Sequence, residues 1–245
     1  IETPSPALRL VRNFPFAIVL VTLAMAAHAA AFAQTFGWVG ISSVRSQYFE
    51  NENLLFYVPE AYDAFATALA TGDFNGDGAD DLATGIPLDN GLAGFEMENV
   101  GLVIVRYGVP GSGLETGLAD TVLRQNVLVE AEDRFGMALA AGDFNGDGFD
   151  DLAVGEPGES VINVGRVHIF YGGGAGIALQ AGHNFMDPVQ FSAEDQFGSV
   201  LAAGNFNGDT FDDLAIGMPY DSPNWWEGDP STGSVLIIEG ANEGL

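Results

Sequence analysis

The chain has 245 residues and a formal net charge of −27, from 34 acidic and 7 basic side chains. This charge excludes a nucleic-acid-binding surface, which needs basic residues to neutralise phosphates, and it opposes docking on an anionic membrane. The absence of cysteine excludes disulfides, zinc–thiolate sites and a cysteine nucleophile, whereas 47% apolar residues are enough to form a core. With 33 glycines, the composition indicates a turn-rich, all-β protein.

Residues 1–33 have the pattern of a secretory signal peptide. Arg9 and Arg12 precede an apolar run over residues 14–27, which is shorter than the roughly 20 residues of a membrane-spanning helix. Small residues follow and give a cleavage site after Ala33. We therefore expect a protein that is secreted to the extracellular space, the cell surface or the periplasm, without a stable membrane anchor after cleavage. The alternative interpretation is an N-terminal membrane anchor.

The rest of the chain contains an internal repeat. After a leading segment with strand-like runs (34–61), the motif of residues 68–87 returns at 138–157 and 200–219, at spacings of 70 and 62 residues. The first two copies are identical at 16 of 20 positions and the last two at 15 of 20. Such a period indicates an array of supersecondary units that pack on one another. The predicted units are 62–130, 131–192 and 193–245, the third incomplete at its C-terminal end.

Each unit is predicted to be a four-stranded antiparallel sheet. In the second repeat, two short strands (135–141 and 151–155) flank a polar turn. The predicted third strands of the repeats are 100–107, 164–171 and 232–238, and fourth strands are predicted within 121–130 and 185–192. Four strands in each repeat of 62 or 70 residues is the arrangement of a β-propeller blade, so the sequence predicts an all-β fold with three blades.

The turn between the first two strands of each repeat follows the pattern D-x-N-x-D-G-x-x-D. Oxygen ligands at alternate positions of a tight loop converge on one point, which suits a hard cation with about 6–8 oxygen ligands. Three carboxylates in nine residues also repel one another unless a cation neutralises them. Calcium is favoured over magnesium because a loop of oxygens lacks the rigid octahedron that magnesium requires. The predicted ligands, which include a backbone carbonyl at the seventh position, are Asp73, Asn75, Asp77, Ala79 and Asp81; Asp143, Asn145, Asp147, Phe149 and Asp151; and Asn205, Asn207, Asp209, Phe211 and Asp213.

These loops are not EF-hands. An EF-hand has a bidentate glutamate at position 12, which here is Thr84, Val154 or Ile216, so the ninth-position aspartate is expected to close the ligand shell. The third loop has Asn205 for the first aspartate and Thr210 for the bend glycine, where a β-branched residue at positive φ would be strained. We expect up to three calcium ions, the third held most weakly; the alternative is equal binding through neutral oxygens.

The motifs around the loops resemble the FG-GAP repeat of the integrin α-subunit propeller. The second repeat has Phe135-Gly136 before its loop and Gly155-Glu156-Pro157 after it, and the third has Phe197-Gly198 and Gly217-Met218-Pro219. The first repeat has Phe65-Ala66 instead, so we expect an altered turn there. The resemblance implies a propeller of usually seven blades, with calcium in the loop between the first two strands and ligand contacts on the opposite face.

Three blades do not close a propeller, so we expect part of a larger one. The alternative is an arc that associates with further blades or with a second copy of the chain. The loops between the second and third strands differ among the repeats, and variable loops on a rigid scaffold usually determine binding specificity. Trp225 and Trp226 in the third of these loops are candidate contacts for an extracellular protein or glycan ligand. The alternative is that the tryptophans cap the blade.

The sequence offers little that favours catalysis, so we predict that the chain is not an enzyme. The histidines are His28 in the signal peptide, His168 in a strand, where it is expected on a blade face, and His183 in a predicted loop. Acidic pairs such as Asp80-Asp81 recur in every repeat, which favours a structural role over a glycosidase site. The predicted function is a secreted calcium-binding adhesion or ligand-binding module. The alternative is the propeller scaffold of a secreted polysaccharide-acting enzyme.

Overall fold

The computed structural model describes residues 62–90, 97–114, 120–125, 129–159, 164–186, 195–221 and 232–245. All of them belong to one compact unit, Phe49–Leu245, in which the described residues form strands and turns. Within these ranges, no helix has the length and apolar character needed to cross a bilayer. The predicted signal peptide, the leading segment 34–61 and both candidate tryptophans lie outside the described residues.

The described strands are joined by short turns and by longer loops. They are β1 (Ala68–Gly72), β2 (Asp81–Ile86), β3 (Leu102–Arg106), β4 (Gly108–Val109), β5 (Gly113–Leu114), β6 (Thr121–Leu123), β7 (Ala138–Gly142), β8 (Asp151–Glu156), β9 (Arg166–Phe170), β10 (His183–Met186), β11 (Val200–Gly204), β12 (Asp213–Met218) and β13 (Ser234–Ile238). Most are five or six residues long. They are rich in apolar and small side chains, which suits strands that are packed on both faces.

Three antiparallel sheets correspond to the three repeats. Their orders are β1-β2-β3-β6, β7-β8-β9-β10 and β11-β12-β13, and we call them blades 1, 2 and 3. The registers of equivalent pairs repeat: Gly72 faces Asp81 in blade 1, as Gly142 faces Asp151 in blade 2. The all-β fold and the small antiparallel sheets confirm the predicted class of propeller blades.

Several strand boundaries differ from the prediction. The third strands β3 and β9 are shorter than the predicted 100–107 and 164–171, and the fourth strand β6 occupies only the first part of 121–130. The prediction of His183 in a loop was wrong, because this residue begins β10 and pairs with Ile169. The short hairpin of β4 and β5 was not predicted, since two-residue strands carry no detectable alternation.

The core lies between the blades. Alternate residues of a strand point to opposite faces, so Val103 of β3 packs toward blade 2, where it meets Leu152 and Val154 of β8. On the other face of blade 2, Ile169 packs with Leu214 of blade 3. Because each such side chain is fully buried, each contributes about 1.5–3 kcal/mol of hydrophobic free energy to the stack.

The two halves of the repeat motif meet across the interface between blades. The carbonyl oxygen of Gly136, in the turn before blade 2, lies so close to Gly85 of blade 1 that a Cβ there would be 2.1 Å from it. The oxygen of Gly198 approaches Gly155 in the same way at the next interface, also at 2.1 Å. A side chain at either position would push the blades apart. The spacing of the motif therefore encodes how one blade stacks on the next.

The first copy of this turn keeps its backbone conformation despite the alanine. Ala66 has a φ of 64°, compared with 88° for Gly136 and 84° for Gly198. The expectation of an altered turn was wrong in this respect. A residue with a Cβ remains in the left-handed region, at a conformational cost of about 1–2 kcal/mol.

Candidate metal centre

All the predicted cation ligands lie in the hairpin connections β1–β2, β7–β8 and β11–β12, which we call loops 1, 2 and 3. Each loop follows the glycine that ends the first strand and finishes at the aspartate that begins the second. Because successive strands in a blade are antiparallel, the connection from the second strand to the third leaves from the opposite end. The structure thus brings the ligand residues of each loop together and separates them from the variable loops.

In loop 1, side-chain oxygens turn inward toward the backbone amides. The Asp77 N–H donates to Asp73 Oδ1 at 3.0 Å and to Asn75 Oδ1 at 2.9 Å, so these two oxygens converge on one nitrogen. The Gly78 N–H donates to Asp73 Oδ2 at 2.9 Å, and the Ala79 N–H donates to Asp77 Oδ1 at 2.9 Å. A donor set of carboxylate and amide oxygens, without nitrogen or sulfur, fits a hard cation such as calcium.

Loop 2 repeats this arrangement nearly atom for atom. The Asp147 N–H donates to Asp143 Oδ1 at 3.1 Å and to Asn145 Oδ1 at 2.8 Å. The Gly148 N–H donates to Asp143 Oδ2 at 3.0 Å, and the Phe149 N–H donates to Asp147 Oδ1 at 3.0 Å. Two copies with the same conformation indicate that the sequence pattern itself determines the loop geometry.

The ninth-position aspartate is buried and ties its loop to the third strand. In loop 1 the Phe74 N–H donates to Asp81 Oδ2 at 2.9 Å, and the Gly108 N–H, just after β3, donates to Asp81 Oδ1 at 2.8 Å. Both carboxylate oxygens are therefore held by backbone amides, and the role of this residue as a cation ligand stays a prediction. The equivalent aspartates make the same two kinds of contact: Asp151 with Phe144 and Gly172, and Asp213 with Phe206 and Gly240.

The loops are electrostatically crowded. Burial raises the pKa of Asp81 to about 6, and the nearby Asp73 and Asp77 carboxylates raise it further against the lowering effect of the two amide hydrogen bonds. Burial likewise raises the pKa of Asp151 to about 7, with Asp147 and Asp143 adding to the increase. A cation among these oxygens would favour the ionised carboxylates and reverse this effect.

The eighth-position aspartate links one loop to the loop of the preceding blade. Asp150 of blade 2 accepts the N–H of Asp73 through Oδ2 at 2.8 Å, and its own N–H donates to the Asp73 carbonyl at 3.2 Å. Asp212 of blade 3 makes the same pair of contacts with Asp143, at 3.2 and 3.0 Å. The recurrence of these acidic pairs predicted a structural role for them. Their partners in the preceding blade were not predicted, because the spacing of residues within one repeat does not indicate contacts with another repeat.

Loop 3 has the same place in its blade but a different internal pattern. Asn205 Oδ1 accepts the Gly208 N–H at 2.6 Å, and Asn205 Nδ2 donates to the Asp209 carbonyl at 2.5 Å. The expected strain at Thr210 was wrong, because this residue does not have a positive φ and the left-handed residue nearby is Gly208, at 83°. The weaker affinity predicted for this loop therefore depends on its missing carboxylate and not on backbone strain.

The FG-GAP repeat family matches the chain at residues 65–96, 135–170 and 197–238, which span the three blades. The chain is an FG-GAP repeat protein. Integrin alpha-PS2 of Drosophila melanogaster is 31% identical over 186 residues, which are 72% of this chain and 12% of that protein. Integrin alpha pat-2 of Caenorhabditis briggsae is 30% identical over 203 residues, 75% of this chain and 14% of that protein. The resemblance to the integrin α propeller is thereby confirmed.

A second group of relatives carries a different name. Phosphatidylinositol-glycan-specific phospholipase D of Bos taurus is 36% identical over 120 residues, which are 45% of this chain and 14% of that protein. The chain thus spans only about one eighth to one seventh of the length of these curated relatives. What is shared is the propeller repeat.

Proposed function

We propose that this chain is a calcium-stabilised segment of a secreted FG-GAP propeller that acts as an adhesion or ligand-binding module. The observation that carries the proposal is the convergence of side-chain oxygens in loops 1 and 2, where Asp73 with Asn75, and Asp143 with Asn145, each meet at one amide nitrogen. Proteins named as integrin α chains contain the same repeats, which supports an extracellular binding role. The signal-peptide pattern of residues 1–33 supports secretion.

Calcium dependence of the melting temperature tests the metal part of this proposal. A cation that binds only the folded chain, at a hundredfold excess over its Kd, stabilises it by about 2.7 kcal/mol per site. We expect the melting temperature to fall when a chelator replaces millimolar calcium. The variant Glu132→Gln removes a carboxylate that lies outside the loops and should retain the full dependence. An unchanged melting temperature in chelator would contradict the proposal.

The ligand surface is proposed at the end of the blades opposite the calcium loops. The connections from the second to the third strands leave there, and they differ in length and composition between repeats. Trp225 and Trp226 belong to the third connection and supply aromatic surface for a sugar ring or a protein anchor. Replacing both with alanine should abolish binding to a matrix protein or glycan while calcium-dependent melting remains. Retained binding, or loss of the fold, would show that the two tryptophans have a structural role and not a binding role.

The outer face of blade 3 supports association with further blades or a second copy of the chain. Val200, Val235 and Ile237 are 61%, 66% and 47% exposed on this sheet, whereas the equivalent positions of blade 2 are buried beneath blade 3. An apolar sheet face of this kind is stabilised by a covering layer. Sedimentation measurements at increasing protein concentration would distinguish a self-associating chain from a monomer.

A second candidate function is the propeller scaffold of a secreted enzyme. The similarity to phosphatidylinositol-glycan-specific phospholipase D favours it, because that name describes an enzyme that contains the matched repeats. In this case the chain would position a catalytic domain and would have no turnover of its own. Hydrolysis of a polysaccharide or a glycan-linked lipid by the purified chain would contradict the non-catalytic assignment.

A further inference from the structure

A group of buried carboxylates lies at the end of blade 2 opposite loop 2. Asp133 precedes β7, Glu156 ends β8 and Glu159 follows three residues later. Each contributes one carboxylate oxygen to a set whose members all lie within 4.8 Å of one another. The residues are 0%, 0% and 3% exposed, so water does not screen their charges. Three buried carboxylates whose charges are not screened raise the free energy of the folded chain unless a positive charge compensates them.

Hydrogen bonds within the protein leave part of the group unsatisfied. Asp133 Oδ1, Glu156 Oε1 and Glu159 Oε2 are buried without a hydrogen-bond partner. Gln125 donates through Nε2 to Asp133 Oδ2 at 2.7 Å, yet its own carbonyl oxygen is also buried without a partner. Buried polar atoms are almost always paired, so four oxygens without partners in one place indicate a missing electropositive group.

The positive charges nearby do not balance the carboxylates. Arg166 Nη2 lies 2.7 Å from Glu159 Oε1, and His168 Nε2 lies 2.6 Å from Glu156 Oε2. With His168 neutral and all three carboxylates ionised, the carboxylates and one guanidinium carry two net negative charges, which one divalent cation would cancel. Glu130, half-buried, adds negative potential from the segment before Asp133.

In blade 1 the positions of Asp133 and Glu159 are also buried carboxylates, Asp63 and Asp89, but the remaining charged positions of this group are apolar. Glu156 pairs with Arg166 in blade 2, whereas the same register positions are Ile86 and Leu102 in blade 1. The position of His168 is taken by Ile104, which completes an apolar cluster with Ile86 and Leu102. Buried ionic groups are often no more stabilising than apolar residues of similar size, so stability alone does not account for the exchange.

We propose that Asp133, Glu156 and Glu159 hold a divalent, oxygen-preferring cation on the face of blade 2 that packs against blade 1. Two oxygens that ligate one calcium ion at about 2.3–2.6 Å are at most about 5 Å apart, so oxygens that all lie within 4.8 Å of one another are compatible with one such ion. Magnesium demands near-ideal octahedral geometry at about 2.0–2.1 Å, a stricter requirement than that of calcium. Calcium is therefore the expected occupant. This site is separate from loops 1–3 and does not depend on them.

Burial gives this cation a kinetic property that distinguishes it from ions in the exposed loops. The loop residues Asp77 and Asp147 are exposed, so their ions exchange directly with solvent. An ion among side chains that are almost fully buried has to enter as the chain folds and leaves only when the blades open. A brief chelator treatment should therefore remove the loop ions and leave the buried ion.

Counting the ions before and after chelation tests the proposal. The full chain is refolded in calcium, treated briefly with a chelator, desalted and assayed for calcium by elemental analysis. We expect the unmodified chain to retain one equivalent and Glu156→Gln to retain none. The control Glu132→Gln, a partly exposed carboxylate in the same region, should retain one equivalent. Complete loss of calcium from the unmodified chain, or an equal ion count in Glu156→Gln before chelation, would overturn the proposal.

A second variant keeps the test decisive if Glu156→Gln does not fold. The double variant Glu156→Ile and His168→Ile introduces the residues that blade 1 already accommodates at these positions and keeps Arg166 paired with Glu159. It should fold and bind one calcium ion fewer than the unmodified chain. An unchanged ion count would overturn the site and show that protons alone neutralise the carboxylates. If the unmodified chain instead binds a single ion and loses none to the chelator, only the proposed loop sites are contradicted.

Discussion

At the scale of single residues, the left-handed alanine before blade 1 is a local weakness. Ala66 has a φ of 64° and its side chain is exposed, so the Cβ adds backbone strain without adding packing. The corresponding residues before blades 2 and 3 are glycines with the same conformation. The fold therefore tolerates the alanine because the other contacts of the turn outweigh its cost.

We predict that Ala66→Gly stabilises the chain by about 1 kcal/mol, because glycine adopts positive φ without a steric penalty. Chemical denaturation of both proteins gives the free energy of unfolding. The control Ala70→Gly lies in β1 and should destabilise by about 0.5–1 kcal/mol, since glycine in a strand loses more backbone entropy. A loss of stability in Ala66→Gly would show that the Cβ packs favourably.

The first residue of each loop is predicted to set the order of calcium affinities. Asp143 presents two carboxylate oxygens that accept three loop amides, whereas Asn205 has one oxygen and uses its nitrogen to hold the Asp209 carbonyl. Asp143→Ala removes a charge from a full ligand set, and Asn205→Ala removes a neutral group, so the first should weaken calcium binding more. Titration calorimetry measures both. Equal losses would contradict this ranking.

At the scale of elements, the loops of successive blades form one hydrogen-bonded chain. Asp150 holds the backbone of Asp73, and Asp212 holds that of Asp143. Loops 1 and 2 are therefore each hydrogen-bonded to the next blade, although the candidate ligands of each loop come from a single hairpin. Calcium binding and blade stacking are therefore expected to reinforce each other.

We predict that Asp150→Ala costs about 1–2 kcal/mol of stability, because the Asp73 N–H loses its acceptor in a partly buried place. It should also weaken calcium binding at loop 1, although Asp150 belongs to blade 2. The matched control is Asp80→Ala, the exposed eighth-position residue of loop 1, which should change stability by less than about 0.5 kcal/mol. Similar effects of the two variants on loop 1 would argue against the inter-blade contact.

The sequence predicted what is encoded locally and missed what is encoded between repeats. The hairpins, the loops and the blade class follow from glycine positions and from alternation over a few residues. The partners of Asp150 and Asp212 lie 77 and 69 residues away, so no local pattern reports them. His168 was correctly placed on a blade face, but its contact with Glu156 depends on strand register, which periodicity alone does not specify.

At the scale of the whole molecule, buried carboxylates are expected to make stability depend on pH in the absence of calcium. Burial raises the pKa of Asp81 to about 6, of Asp151 and Glu159 to about 7 and of Glu156 to about 9. Between the usual carboxyl pKa and these values, the folded chain binds more protons than the unfolded chain. Stability must then decrease as pH rises.

We predict that in chelator the melting temperature falls as pH increases from about 5 to about 8, the window set by Asp81, Asp151 and Glu159. Ordinary carboxylates are already ionised there, so the change reports the buried ones. In calcium the same scan should be flatter, because bound cations favour the ionised carboxylates. A melting temperature that rises with pH in chelator would contradict the prediction.

The inter-blade contacts of Asp150 and Asp212 also imply an order in which the loops mature during synthesis. Loops 1 and 2 are each contacted by a residue that is synthesised later, because Asp150 binds the backbone of Asp73 and Asp212 binds that of Asp143. At a translation rate of about 5–20 residues per second, a separation of 77 residues corresponds to a delay of roughly 4–15 s. During that interval a newly made loop can bind calcium, but the aspartate of the next blade has not yet formed its hydrogen bond to the loop backbone. Maturation of the cation sites should therefore proceed from the N-terminal blade toward the C-terminal one, one blade behind the ribosome.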